Sequence, residues 1–276
     1  MNKLSIEKRV QIIGMLVEGN SMRAVSRMSG CSINTVTKLL VDVGQACWVY
    51  QHKTMRNLTC KRIQCDEIWS FCYAKEKNIP EELKGVFGYG DVYTWTAMCA
   101  DTKLVPSFLV GRRDAGFAHI FMKDLESRLK NRVQLTTDGH RAYLTAVEAA
   151  FGGDIDYAML VKVYGEDQSK EDQRRYSQAE CTGTEILRVS GAPDEKHIST
   201  SYVERQNLTM RMSMRRFTRL TNGFSKKIEN LEYAVALYFM HYNFARVHKT
   251  LRVTPAMEAG ITDHVWTLEE IISLMP

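Results

Sequence analysis

The order of strand-type and helix-type segments between residues 61 and 165 constrains the fold more than any other feature of this sequence. Alternating aromatic and β-branched residues predict three consecutive strands, in the segments KRIQCDEIWSFCYA, DVYTWTAMCAD and KLVPSFLVG. A helix at 114–130, a strand ending at Asp138, a helix at 140–151 and a strand from 156 follow. Strands joined first by turns and then through helices form a mixed sheet covered by helices, so we expect an α/β fold.

A different pattern precedes these strands, since residues 1–50 have the spacing of three short helices. Apolar residues recur at helical intervals in the first of them, at Ile6, Val10, Ile13 and Val17. Ser21 and Ser32 stand at N-cap positions of the next two helices, and Gly30 permits the tight turn between them. A short helix, a glycine turn and a second helix with polar exposed positions are typical of a helix-turn-helix domain. The alternative is a plain three-helix bundle.

Charge is unevenly distributed along the chain. Residues 1–62 contain ten Lys and Arg against three acidic residues, and residues 201–249 contain nine against three. Two basic blocks indicate a polyanionic partner at two surfaces, although solvated helix faces would give the same counts. With the helix-turn-helix spacing, the first block favours double-stranded DNA, and Asn34, Thr35 and Lys38 would face its major groove.

Shifts in composition divide the chain into segments. We assign residues 1–50 to an all-α helix-turn-helix domain and residues 51–61 to a basic linker. Residues 62–250 form the sheet-containing domain, which a polar segment without periodicity interrupts at about 165–197. Residues 251–276 form a C-terminal helical tail, which begins with a proline at a helix start.

The cellular compartment is indicated by apolar runs and cysteines. The longest uninterrupted apolar run, YAVALYFM, is too short to span a bilayer, and the N-terminus lacks the pattern of a signal peptide. Seven cysteines are scattered without a framework spacing, which favours free thiols in a reducing compartment. We therefore expect a cytoplasmic protein without a membrane partner, associated with the nucleoid if it binds DNA.

Three acidic residues far apart in sequence are the candidates for chemistry. Asp66 lies inside the first predicted strand, Asp138 ends the fourth, and Glu204 lies on a helix that begins after Ser199. If the two strands are neighbours, the two aspartates lie close together, where they repel each other unless a cation is present. Carboxylate oxygens suit Mg²⁺ and Mn²⁺, so the three acids predict a metal site, although any one of them alone would more often be a bystander.

Two metal ions in such a site would catalyse phosphodiester chemistry. The ions would activate an attacking oxygen and stabilise the leaving oxygen. Asp66 is placed to bridge both ions, with Asp138 on one and Glu204 on the other. Water would attack in hydrolysis, and a DNA 3′-hydroxyl would attack in strand transfer.

Two further expectations concern the neighbours of these acids. Because side chains alternate along a strand, Glu67 should point away from Asp66 and be a surface or salt-bridged acid. On the helix that carries Glu204, Asn207 and Arg211 fall on the same face. Both are predicted to contact DNA, with Arg211 binding a phosphate beside the metals.

Four segments of the chain resemble the insertion sequence one family of transposases. They are CDEIWSF, TTDGHRAY, TSYVERQNLTMRMSMRRFTRLTNGFSKKIENL and HYNFARVHKTLRVTPAMEAG, and the likeness runs from about residue 60 to the C-terminus. The resemblance implies a DDE-type enzyme with a ribonuclease H-like core, in which Asp66, Asp138 and Glu204 are the metal ligands. It also implies that the basic residue seven positions after the glutamate is Arg211.

The same resemblance implies the partners of the protein. They are the terminal inverted repeats of its own insertion sequence, target DNA, and further copies of the chain in a multimeric complex on DNA. His248 and Lys249, in the last of the similar segments, are expected to contact phosphates near the site. Two other functions stay open from sequence: a DNA-binding regulator with an inactive nuclease-like body, and a general ribonuclease H-like nuclease.

Overall fold

A mixed α/β fold is observed in a computed structural model, which describes residues 4–164, 181–218 and 222–276. The strands are β1 (Arg62–Cys72), β2 (Gly90–Cys99), β3 (Ser107–Gly111), β4 (Gln134–Thr137), β5 (Asp156–Tyr164) and β6 (Cys181–Ser190). The helices are α1 (Ile6–Val17), α2 (Met22–Ser29), α3 (Ile33–Thr54), α4 (Ala115–Glu126), α5 (Ala142–Phe151), α6 (Ser201–Ser213), α7 (Ile228–Met240), α8 (Pro255–Glu258) and α9 (Leu268–Ser273).

The six strands form one sheet in the order β3-β2-β1-β4-β5-β6. Strands β1, β4 and β5 are parallel to one another, whereas the β2–β3, β1–β2 and β5–β6 pairs are antiparallel. The mixed sheet predicted from the order of elements is therefore confirmed. Strand β6 falls inside the predicted insertion at 165–197, where a loop was expected, and residues 165–180 of that insertion lie outside the described residues.

The two faces of the sheet are covered by different helices. On one face, Trp95 of β2 contacts Phe121 of α4 and Tyr143 of α5. On the other face, Gln64 of β1 accepts hydrogen bonds from the first turn of α6, and Phe108 of β3 packs on α7. Burial of these aromatic rings on both faces supplies the main hydrophobic core.

The first three helices have the capping that their sequence predicts. The Ser21 hydroxyl accepts a hydrogen bond from the Ala24 N–H, and the Ser32 hydroxyl accepts one from the Thr35 N–H. Gly30 adopts a left-handed φ of 68°, which reverses the chain between α2 and α3 at little cost because it has no Cβ.

Helix α3 continues through the first part of the predicted linker and ends at Thr54. Gln51 is buried and donates a hydrogen bond to the Ala236 carbonyl of α7 at 3.0 Å. Met55 and Leu58 are buried next, whereas Lys53 is exposed. Residues 51–58 therefore pack on the body of the protein, through Gln51 and Met55 at the end of α3 and through Leu58, which forms a bridge with Leu129.

The crossing of α3 and α7 brings the two backbones into contact. A Cβ added to Gly44 would lie 2.3 Å from the Tyr233 carbonyl oxygen, so only glycine allows this approach. Helix α9 lies against α1 and buries Ile271 and Ile272. The N-terminal helices are thus packed against α7 and the C-terminal tail rather than held by a flexible connection.

Helix α7 ends at Met240, where a π-helical turn, His241–Ala245, follows it. Asn243 in that turn is fully buried, and its amide exchanges two hydrogen bonds with the Val105 backbone at 3.0 Å each. The wider turn places this side chain against the loop between β2 and β3.

All seven cysteines are free thiols, as predicted. Of the helices in the described ranges, none has both the length and the apolar character needed to cross a membrane.

Candidate metal centre

The parallel pairing of β1 with β4 brings two of the predicted acids together. The last paired positions are Cys65 and Thr137, so Asp66 and Asp138 are the next residues on the two strands. Strand β4 ends there, whereas β1 continues along β2. The carboxylates therefore lie where β1 no longer has a neighbour on this side.

Glu67 joins the two aspartates. Asp66, Glu67 and Asp138 each offer a carboxylate oxygen, and these three atoms lie within 4.8 Å of one another. Only 1% of the Glu67 side chain is exposed, and its Oε2 accepts a hydrogen bond from Arg113 Nε at 3.0 Å. The expectation of a surface acid is wrong for Glu67, while the expected salt bridge is present.

Alternation along β1 does not separate Glu67 from Asp138, for a geometric reason. Asp66 and Glu67 do point to opposite faces, since Asp66 contacts α6 and Glu67 lies near Tyr143 of α5. Asp138, however, follows the end of β4 and is not held to one face of the sheet. The Asp138 carboxylate can therefore approach both Asp66 and Glu67. This proximity follows from the pairing of β1 with β4, not from the pattern along β1 alone.

The raised pKa values of Asp66 and Glu67 show that ionising all of these carboxyl groups is unfavourable without a cation. Burial, Asp138 and Glu204 raise the pKa of Asp66 to about 6, against smaller opposing effects of the Glu67 N–H and Asn207. Burial and Asp138 raise the pKa of Glu67 to about 7, although Tyr143 and Arg113 oppose this. A divalent cation would remove this cost.

Two buried oxygens beside the acids fit a hard cation. Glu67 Oε1 and Asn207 Oδ1 have no partner within hydrogen-bond geometry among the described residues, although the Tyr143 hydroxyl, also without one, lies close enough to Glu67 to lower its pKa. The other end of the Asn207 amide donates to Asp66 Oδ2 at 2.8 Å, so both unpartnered oxygens lie next to the carboxylate group. Carboxylate and amide oxygens are the ligands that Mg²⁺ and Mn²⁺ prefer.

Asn207 has a different environment from the one predicted. Its side chain is buried, with 4% of the residue exposed, and it bonds to Asp66. In this structure Asn207 orients the Asp66 carboxylate, and its contact with DNA stays a prediction.

Glu204 lies one turn before Asn207 on α6, on the Asp66 side of the sheet, but outside the group of three acids. Its Oε1 accepts a hydrogen bond from the Thr200 hydroxyl at 2.5 Å and forms an ion pair with Lys162 of β5 at 2.6 Å. Glu204 is nevertheless close enough to raise the pKa of Asp66. Glu204 therefore lies next to the group of three acids, and its carboxylate is paired with Lys162.

The other residues predicted to contact DNA near the site lie at the surface or close to it. Arg211 is half-buried on α6, seven residues after Glu204. His248 is half-buried and Lys249 is exposed, both in the turn that follows the π-helical turn. Their roles stay predictions.

The residues predicted to contact bases lie in the first turns of α3. Asn34 and Lys38 are exposed, and the Lys38 ammonium pairs with Asp42 four residues later. Thr35 is half-buried, and its hydroxyl is hydrogen-bonded to the Ser32 hydroxyl. Contact with DNA stays a prediction for all three.

Removal of the Glu67 carboxylate tests its membership of the metal site. We expect Glu67→Gln to weaken the rise in melting temperature that Mn²⁺ causes, because one of three candidate carboxylates is lost. A tenfold loss of ion affinity would lower the stabilisation by about 1.4 kcal/mol. Thermal unfolding with and without Mn²⁺ measures it, with Glu126→Gln on the exposed side of α4 as the control.

An unchanged response of Glu67→Gln, alongside a lost response of Asp138→Asn, would remove Glu67 from the ligands. Equal losses in Glu67→Gln and Glu126→Gln would show that the carboxylate count, rather than this group, governs the response.

Comparison with known proteins gives matches among solved structures only. The chain matches no protein-family model and no curated protein sequence. It is similar to the piggyBac transposase in a synaptic complex with hairpin DNA, at 10% identity and a TM-score of 0.44, covering 99% of this chain and 72% of the other.

Two Mos1 structures are similar over smaller parts. One is the Mos1 transposase paired-end complex with the left transposon end, at 10% identity and a TM-score of 0.21, covering 54% of this chain and 58% of the other. The second is the Mos1 strand transfer complex, at 10% identity and a TM-score of 0.23, covering 87% and 76%.

Proposed function

We propose that the protein is a DNA transposase of the DDE type, which cuts and joins DNA at a divalent metal site on a ribonuclease H-like core. The observation that supports this most is the meeting of Asp66, Glu67 and Asp138 next to two buried, unpartnered oxygens. The six-stranded mixed sheet with β1 at its centre and helices on both faces is compatible with such a core.

The proposed metal ligands are Asp66, Asp138 and Glu204, with Glu67 as a further carboxylate beside Asp138. Two bound Mg²⁺ or Mn²⁺ ions would activate the attacking oxygen and stabilise the leaving oxygen of a phosphodiester. Asn207 orients Asp66 through its amide, and Arg113 and Lys162 neutralise part of the acidic charge. The Arg113 and Lys162 side chains also lie where they could bind a DNA phosphate.

The proposed partner is double-stranded DNA, first as the terminal inverted repeats of the element and then as target. We propose that α2 and α3 form a helix-turn-helix unit, with Asn34, Thr35 and Lys38 reading the repeats in the major groove. Arg211, His248 and Lys249 are proposed to bind phosphates nearer to the acids. An oligomer of this chain on DNA and a nucleoid location follow from the same proposal.

The proposed domain division has residues 62–250 as the catalytic domain between the N-terminal helices and the tail at 251–276. The contacts of α3 with α7 make the N-terminal unit part of one packed body, with residues 51–61 joining it closely to the sheet. The base-reading helix would therefore hold DNA at a fixed position relative to the acids.

Reversal of one charge on α3 tests the reading of repeats. We expect Lys38→Glu to weaken binding to repeat-ended DNA and to lower the slope of log affinity against log salt by about one unit, because a cation that displaces counterions at the groove is lost. Anisotropy titrations across a salt range give both values. Lys53→Glu, an exposed position near the far end of the same helix, is the matched control.

A Lys38→Glu slope equal to that of Lys53→Glu would show that the first turns of α3 do not lie against DNA. A loss that is equal for repeat and random sequences would show backbone contact without base reading.

Strand cleavage and strand transfer on DNA ending in the inverted repeats that flank the reading frame test the enzyme itself. We expect cleavage at the repeat ends and joining to a second duplex, both dependent on Mg²⁺ or Mn²⁺. Repeat binding without any metal-dependent cutting would favour the inactive regulator. Cutting of an RNA–DNA hybrid without preference for repeat ends would favour a general nuclease.

A further inference from the structure

A groove of about 680 Å³ separates the N-terminal helices from the segment that follows α6. One wall is formed by the turn between α1 and α2 together with the start of α3, including Arg23 and Asn34. The other wall is formed by residues 213–216 and 222–226, described on either side of the undescribed residues 219–221.

The described residues that line this groove include cations but no carboxylate. Its basic residues are Arg23, Arg215, Arg216 and Lys226. A second cavity, of about 480 Å³, lies at the opposite ends of β1 and β4 and shows the contrast. There Arg62 pairs with Asp101, and Arg132 pairs with Asp156. The groove therefore has unbalanced positive charge, which a polyanion would complement.

Arg216 is the least exposed of these four cations. Its Nε donates a hydrogen bond to the Ser225 hydroxyl at 2.7 Å, which directs the half-buried side chain into the wall of the groove. Burial lowers the pKa of Arg216 to about 10. A phosphate in the groove would offset that cost, because guanidinium binds phosphate with paired, charge-assisted hydrogen bonds.

Gly19 brings the two walls into contact, and Gly223 closes the second wall on itself, so the groove is a built feature. A Cβ added to Gly19, whose φ is +80°, would lie 3.0 Å from the Ser213 carbonyl oxygen at the end of α6. A Cβ added to Gly223 would lie 2.6 Å from the Arg215 carbonyl oxygen. Both approaches depend on the absence of a side chain.

The groove also lies on a path between the two DNA contacts of the proposed function. Ser213 is nine residues after Glu204 on α6, which is about 13 Å along a helix rising 1.5 Å per residue. That distance corresponds to about four base pairs at 3.4 Å each. Asn34 lines the groove, while Thr35 and Lys38 lie one turn or less further along the same helix end.

We infer that this groove binds the sugar–phosphate backbone of duplex DNA without sequence preference, between the base pairs contacted by α3 and the acidic group. The inference rests on the proposed function for the identity of the polyanion. It adds a distinct binding surface, formed by Arg23, Arg215, Arg216 and Lys226, to the residues already predicted to contact DNA.

The test uses the full chain and a duplex of random sequence, followed by fluorescence anisotropy over a range of salt concentrations. The variant is the pair Arg23→Gln and Arg215→Gln, both exposed and on opposite walls. The matched control is the pair Lys123→Gln and Lys130→Gln, both exposed, which removes the same net charge from α4 and the residues after it. Circular dichroism and thermal unfolding establish that both pairs fold.

We expect the groove pair to lower the salt slope by about two units and to weaken binding roughly tenfold per lost contact at about 0.1 M salt, with the control pair near wild type. Equal effects of the two pairs, or no effect of the groove pair, would overturn the inference. Failure of wild type to bind this random duplex would also overturn the inference, whereas the proposed function is tested on repeat-ended DNA.

Metal-dependent cutting of repeat-ended DNA separates the two proposals. If wild type cuts repeat-ended DNA but the groove pair leaves the salt slope unaltered, then the inference about the groove is wrong and the proposed function stands. A lowered slope without any cutting supports the groove and counts against the enzyme.

Discussion

Asp66→Asn is expected to abolish metal-dependent DNA cutting while leaving DNA binding intact. Asparagine keeps the size of the side chain and one oxygen, but it cannot supply the anionic ligand that the proposed site needs from β1. A metal ion contributes several kcal/mol of charge stabilisation in such a reaction, and each 1.36 kcal/mol is a factor of ten in rate. Loss of about 4 kcal/mol therefore lowers the cleavage rate about a thousandfold or more.

The same variant has a second readout that needs no reaction. Burial and Asp138 raise the pKa of Asp66, so its charge is costly in the folded protein without metal. Asp66→Asn should consequently unfold at a temperature equal to or above that of wild type without divalent ions, and gain less from Mn²⁺. Thermal unfolding with and without Mn²⁺ measures both effects.

Asp154→Asn is the matched control for Asp66→Asn. Asp154 is exposed and precedes β5, at the N-terminal ends of the parallel strands and so away from the carboxylate group. The Asp154→Asn variant should cut DNA and gain stability from Mn²⁺ as wild type does. Turnover retained by Asp66→Asn would remove Asp66 from the catalytic group, and a loss of cutting in both variants would point to a general effect of acidic charge.

Five of the six strands were predictable from sequence, as was the proximity of Asp66 and Asp138, but the presence of Glu67 in the carboxylate group was not. The alternation in RIQCDEIWSF predicts a strand and places Asp66 and Glu67 on opposite faces, and both statements hold. The grouping of Glu67 with Asp138 depends on β4 ending at Thr137, level with Cys65. Register between strands that are seventy residues apart comes from tertiary packing, which no local pattern records.

Two segments were assigned wrongly from sequence for the same physical reason. A helix or strand that is exposed on most of its surface needs few buried residues, so its sequence shows no clear periodic pattern. β6 is exposed along nearly its whole length, including Ile186, Leu187 and Val189, so burial imposed no alternation of apolar and polar residues on it. The end of α3 buries only Gln51 and Met55 between exposed charges. Packing on one narrow side suffices to hold such an element, while the composition still resembles a linker.

Conversely, Glu204 shows where a prediction from sequence reaches its limit. Helix α6 was expected to carry it across the sheet from Asp66, and Gln64 and Asn207 do anchor α6 on that face. Its carboxylate nevertheless pairs with Lys162 of β5 rather than joining the group of three acids. Lys162 belongs to a strand whose place in the sheet could not be derived from the chain order alone.

Gly44→Ala is expected to destabilise the protein, although alanine is normally the better residue inside a helix. In the interior of a helix, alanine normally stabilises by about 0.5–1 kcal/mol relative to glycine. Here the added Cβ would lie 2.3 Å from the Tyr233 carbonyl oxygen and 2.8 Å from its carbonyl carbon, which are backbone atoms of α7. Neither helix can yield locally, so the two must separate and lose packing along α3 and α7.

The overlap outweighs the gain in helix propensity, because overpacking costs about 1–3 kcal/mol even where flexible side chains can adjust. We expect a net loss of about 2 kcal/mol in the free energy of unfolding, or roughly 4–8 °C in melting temperature for a chain of this size. Gly14→Ala in α1 is the matched control, since its Cβ would meet only the mobile end of Leu268 at 3.2 Å. It should leave the melting temperature unchanged or raise it. If Gly44→Ala behaves like Gly14→Ala in urea and thermal unfolding, then α3 does not lie against α7 in solution, and the fixed placement of the N-terminal helices beside the carboxylate group is lost with it.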